Sequence, residues 1–170
     1  MNTLALFLVA VNPAAIAATV PRAAMARTTT RVAFMATAVT VAVLAGGRDR
    51  LLDWLDVSAP TFQVAAGVVL GLAAVRWILM GARPIAAGED VPVFTLLISP
   101  QLVAVAITAG VEVGAGPAFA ATVVALLVSG IAVWWQGRVG AAVWSWAARL
   151  VGVAGVAVAL ALVVDGVKTV

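Results

Sequence analysis

The chain contains no cysteine, no histidine and no tyrosine. Without cysteine there is no disulfide framework, no thiolate metal site and no thiol nucleophile. Without histidine the commonest general base and the commonest metal ligand are both missing. Charge is scarce too: Asp, Glu, Lys and Arg make up 10% of the residues, where about 25% is usual in soluble domains. Hydrophobic residues fill the space left, at 65% against roughly 45–50%. A soluble domain of 170 residues cannot hide that much apolar surface, because over half of what a small protein exposes must meet water. Soluble enzymes, disordered chains and secreted disulfide scaffolds are thereby excluded. The composition is that of an all-α, polytopic membrane protein, and the lipid bilayer is its first partner.

A bilayer core of about 30 Å takes roughly 20 apolar residues per helix. Six stretches qualify: about 3–20, 32–47, 61–81, 91–110, 117–135 and 143–164. Little besides short connections is left over, so residues 1–170 read as a single transmembrane domain. A cleavable leader is not expected: Met1-Asn2-Thr3 lacks the basic n-region, although 23–27 (AAMAR) resembles a small-residue cleavage site. The net charge of +3 forms no basic stripe, so nucleic acid is not an expected partner. The basic residues read instead as topology signals. Arg22, Arg27, Arg31, Arg76, Arg83, Arg138 and Arg149 fall on one side of the bundle. Arg48, Arg50 and Lys168 fall on the other, diluted by Asp49, Asp53, Asp56 and Glu112. The first side is expected to be cytoplasmic. Six crossings then put both termini outside a plasma (inner) membrane.

Two stretches carry a proline preceded by a small polar residue: Asn12-Pro13 in the first and Ser99-Pro100-Gln101 in the fourth. A second correspondence links the third and sixth. Gly67, Ala74 and Gly81 match Gly152, Ala159 and Gly166, each 85 positions later. The pattern predicts two repeats, about 1–83 and 91–166. Each has three spans, so the second enters the membrane from the opposite side. Inverted repeats with broken helices at matching positions are a frequent plan of secondary transporters, with the substrate held near the midplane. A proline frees carbonyl groups, and those must face protein or a watery cavity. Asn12, Pro13, Ser99, Pro100 and Gln101 are therefore the candidate substrate-binding residues, with the half-helix N-termini offering positive dipole ends. The bland alternative is a pair of kinks satisfied by their neighbours.

These motifs resemble the MarC family of integral membrane proteins, related to the LysE-type exporters. The resemblance rests on Asn12-Pro13-Ala14-Ala15 in the first helix and on the run from Phe94 to Gln101 in the fourth. It also rests on the glycine-rich segment Phe62–Leu72 and on the final helix from Leu150 to Lys168 with Gly152 and Asp165-Gly166. It covers nearly the whole chain in order. Where the family has glycines beside the two prolines, this chain has Ala15, Ser99 and Gln101. The resemblance implies six helices and transport of a solute, and it names no substrate.

Other residues carry weaker signals. Arg48–Asp56 reads as a short amphipathic helix at the interface, with Asp49, Asp53 and Asp56 at i, i+4 and i+7 on one face. Arg76 and Arg149 sit near matching span ends and either snorkel or line a vestibule. Asp165, near the outer end of the last span, reads as a terminal charge or a proton-coupling group of such a vestibule. Glu112 with the Gly110–Gly116 segment reads as an ordinary turn. Trp134, Trp135, Trp144 and Trp146 form an aromatic belt. Gly67 with Gly71, and Gly155 with Ala159, are small-residue pairs for close helix packing or for a homo-oligomer contact. No enzyme, cofactor or metal is expected. The expected function is alternating-access transport or export of a small solute. The alternative is a non-transporting membrane helix-bundle module, an assembly or stabilising subunit.

Overall fold

The structure, a computed structural model, describes residues 2–20, 28–82 and 97–169. Those residues are all-helical. The elements are α1 (Thr3–Val11), α2 (Pro13–Thr19), α3 (Thr28–Gly46), α4 (Arg48–Leu55), α5 (Ala59–Met80), α6 (Pro100–Val113), α7 (Ala115–Trp135) and α8 (Ala141–Thr169). Three of them, α5, α7 and α8, are long and apolar enough to cross a bilayer. The bent pair α3/α4 makes a fourth if taken as one span. The stretches at α1/α2 and α6 are apolar but shorter. Arg22, Arg27, the 23–27 segment, Arg83 and residues 91–96 of the fourth stretch lie outside the described residues.

Length decides which helices sit inside. With 14 residues in α6 and about 1.5 Å per residue, that helix falls short of a 30 Å hydrocarbon core. Helices α1/α2 and α6 are correspondingly central. Every residue from Ala10 to Ala18 is buried, as is every residue from Ala104 to Gly110. Leu6, Phe7, Val20, Leu102, Val105, Leu126 and Val133 are among the core residues there. The long helices turn their large apolar side chains outward: Met35 and Val43 on α3, Leu72 and Leu79 on α5, Leu127 and Ile131 on α7, Leu150 and Leu160 on α8 are all exposed. In water such a surface would be a liability; in a bilayer it is the lipid face. Four buried hydroxyls are satisfied within their own helices. Thr37, Thr108, Thr122 and Ser129 each donate to the carbonyl four residues back, a habit of hydroxyl residues in helices.

The closest helix pair is α5 with α8. They run antiparallel in contact over most of their length. A Cβ on Gly166 would come within 2.9 Å of the Pro60 carbonyl oxygen, and one on Gly155 within 2.9 Å of the Ala74 Cβ. Midway the contact is reciprocal. A Cβ on Gly67 would lie 2.8 Å from the Ala159 carbonyl oxygen, and one on Gly152 would lie 2.9 Å from that of Ala74. The small residues therefore act as packing positions, letting backbone meet backbone. Around this pair α1 and α2 pack on α7, α6 packs on α3 and α5, and α8 packs on α1 and α2.

Helix ends follow local chemistry. Helix α4 leaves α3 at a 66° bend and ends in a Schellman turn, with Asp56 in the left-handed region and the Val57 N–H donating to the Leu52 carbonyl. The turn takes Asp56 off the helical face expected for the three aspartates, leaving Asp49 and Asp53 on the helix. Asp49 pairs with its neighbour Arg48 at 3.4 Å. Trp54 is 81% exposed, as an interfacial helix requires. The expected turn at Gly110–Gly116 shrinks to one residue. Helix α6 runs to Val113 and α7 starts at Ala115, hinged on Gly114 at φ 85°. Gly110 lies inside α6, where a Cβ would come within 2.7 Å of the Ala45 carbonyl oxygen on α3.

Candidate functional site

The two proline breaks share a plan and differ in execution. In both, the proline opens the following helix, where its missing N–H costs nothing, and the residue before it is the N-cap. At the first break Asn12 takes the left-handed conformation, φ 47°, which asparagine tolerates better than most residues. Its N–H donates to the Leu8 carbonyl and closes α1. Its Oδ1 accepts from the Ala15 N–H at 3.1 Å and opens α2. Its Nδ2 donates to the Ala148 carbonyl of α8 at 3.3 Å. Asn12 is 1% exposed, and its side chain is fully engaged by protein at both ends. Pro13 is buried beside it.

At the second break Ser99 is extended, φ −94° and ψ 154°, and its side chain caps nothing. Only its carbonyl is used, accepting from the Val103 N–H at 3.1 Å. Neither Ser99 nor Gln101 has a side-chain hydrogen bond to a described residue, and both are half-exposed while Pro100 is exposed. The first break is thus latched and the second open.

Two spaces connect these residues. A crevice lined by Val9, Asn12, Leu70, Trp77, Gln101 and Gly152 lies where α1, α5, α6 and α8 meet, and has no room for a water molecule. It brings one polar residue from each break to the same point, beside the reciprocal α5/α8 contact. A cleft of about 620 Å³ opens next to it, lined by Thr19, Arg76, Trp77, Gly81, Ser99, Pro100 and Gln101 among others. Gln101 and Trp77 border both spaces, so the crevice is the closed floor of the cleft.

Of the three possible vestibule charges, two gather here. Arg76 lines the cleft. Arg149 abuts it through Gly81: a Cβ on Gly81 would lie 3.3 Å from the Arg149 Nε. The Arg149 guanidinium stacks over Trp146 at 5.1 Å from the ring centroid, and its Nε is buried without a hydrogen-bond partner. Asp165 is exposed at the other end of α8. There the structure gives Glu112, read from the sequence as part of an ordinary turn, a partner on another helix. Glu112 accepts from the Gln63 Nε2 at 3.1 Å. Partial burial pushes its carboxyl above the usual range and the nearby Asp165 charge pushes the same way, while the amino terminus opposes both. Only the residue types, a Glu two residues past Gly110 at the end of an apolar run, hinted at that contact.

The described residues contain no group of acids that could hold a metal ion. No family model, no curated protein and no solved structure matches the chain.

Proposed function

We propose that the chain is a secondary transporter of MarC type, moving a small solute across the plasma membrane by alternating access. Six crossings in two inverted halves carry it, with α1/α2 and the helix broken at Ser99-Pro100 as the interrupted pair. The reciprocal contact supports the inverted pairing. Gly67 meets Ala159 as Gly152 meets Ala74, and each glycine stands 85 positions from the other, as each alanine does. Self-complementary contacts of this form are what a two-fold axis produces. The element pairs agree, since α1/α2 on α7 answers α6 on α3, and α8 on α2 answers α5 on α6.

The observation that carries the transport reading is the asymmetry of the breaks. Asn12 is latched over a dry crevice, while Ser99 and Gln101 present unbonded polar groups to an open cleft. Such an arrangement suits a site open to the arginine side and closed to the other. One observation favours the alternative, a packing module. The crevice is dry and Asn12 is satisfied without any ligand.

Single cysteines at Asn12, Ser99 and Gln101 separate the two readings, since the chain has no native cysteine. In sealed vesicles an impermeant thiol reagent is expected to label Ser99→Cys and Gln101→Cys from the arginine side. Asn12→Cys should react slowly, and from the other side once a transported solute drives the cycle. If all three stay silent while a control at Gly137 reacts, the packing module is the better account.

A further inference from the structure

We infer that the cleft at the second break binds a small anion, one bearing a carboxylate or phosphate group. This rests on the transporter reading and names the substrate class of that same site. The argument starts from charge. Arg76 lines the cleft and Arg149 flanks it across Gly81, and neither forms an ion pair with a described carboxylate; the one ion pair there is Arg48 with Asp49. Among the described residues, none that lines the cleft is acidic. Neither guanidinium has a described counter-charge, and an anion in the cleft would supply one. The Arg149 Nε is also a buried donor with no acceptor, a state that costs free energy until an acceptor arrives. Arg149 lies over the Trp146 ring, and a guanidinium can grip a carboxylate or a phosphate face at two points.

The neutral groups point the same way. Ser99 and Gln101 can donate from their side chains, and α6 begins at Pro100 with no side-chain cap, so its first-turn N–H groups are left for another acceptor. At the first break the Asn12 side chain already takes that place. At about 620 Å³ the cleft is within the usual range for a small-molecule site.

The test uses Ser99→Cys as a reporter in sealed vesicles. The reagent is an uncharged, polyethylene-glycol-linked maleimide, and ionic strength is held constant. Succinate and inorganic phosphate are expected to slow labelling. Succinamide and putrescine, of similar size but neutral or cationic, should not. Adding Arg76→Gln or Arg149→Gln should raise the half-protecting anion concentration about tenfold or more. Arg76→Lys keeps the charge that orients the chain in the membrane, loses the fork, and should fall between. Protection by neutral or cationic solutes equal to that by anions overturns the inference while leaving the pathway standing. So does anion protection indifferent to both arginine variants. A Ser99→Cys that never reacts, with the Gly137 control reacting, overturns the pathway and the anion site together.

Discussion

At the scale of single residues, Asn12 and Ser99 make opposite demands on the fold although they occupy matching places in the sequence. Asn12 closes one helix, opens the next and ties both to α8. Replacing it with alanine removes a cap, breaks the tie to the Ala148 carbonyl and strands a Cβ in the left-handed region. The expected loss is roughly 2–4 kcal/mol, read as a lower unfolding midpoint in detergent. Ser99→Ala removes no bond to a described residue and should stay within about 0.5 kcal/mol of the parent. Equal losses at both positions would mean that the second break is held as tightly as the first. Asn-Pro advertised a break in the sequence. The bond from Asn12 to Ala148 did not, because it joins positions 136 residues apart and only packing brings them together.

Elements are where the sequence spoke most clearly. The apolar runs at 61–81, 117–135 and 143–164 reappear as α5, α7 and α8, since length and hydropathy alone suffice for helices facing lipid. The charged Arg48–Asp56 segment reappears as α4. Glycine was harder to read, because the same residue serves turns and close packing. Gly114 turns the chain, whereas Gly110 four residues earlier lets α6 touch the backbone of α3. The α5/α8 contact makes a prediction of its own. Gly67→Ala and Gly152→Ala both force a methyl against a carbonyl at nearly the same distance. Each should cost about 1–3 kcal/mol, and the two costs should be alike. Gly116→Ala, with nothing within 4 Å of its Cβ, is the silent control. Unequal costs would argue against equivalent halves.

Over the whole molecule, the described acidic residues gather at one end, mixed there with Arg48, Arg50 and Lys168. Arg31 shares a groove with Trp134 and Trp135, Arg76 lines the cleft with Gly81, and Arg149 lies against Gly81. Asp49, Asp53, Glu112 and Asp165 stand at the opposite end with α4. The sequence showed this bias in its loops, and it could not show that Gln63, Glu112 and Asp165 converge, since they come from three helices. That convergence has a pH signature. Glu112 binds its proton more tightly folded than unfolded, so its contribution to stability is present below the ordinary value near 4.5 and is lost as pH rises through the folded value. Unfolding midpoints taken upward from pH 4 should therefore fall more steeply for the parent than for Glu112→Gln. Parallel curves would show that Glu112 is not coupled to folding. The sorting of charge also bears on energised membranes. Each elementary charge carried across the bilayer feels about 2.3 kcal/mol per 100 mV. If the end with Arg31, Arg76 and Arg149 lies on the electrically negative side, as proposed, turning the bundle over would carry those groups against the voltage, while Arg48, Arg50 and Lys168 would move with it. The resting potential then acts as a latch on orientation, strongest in the cells that maintain the steepest gradient.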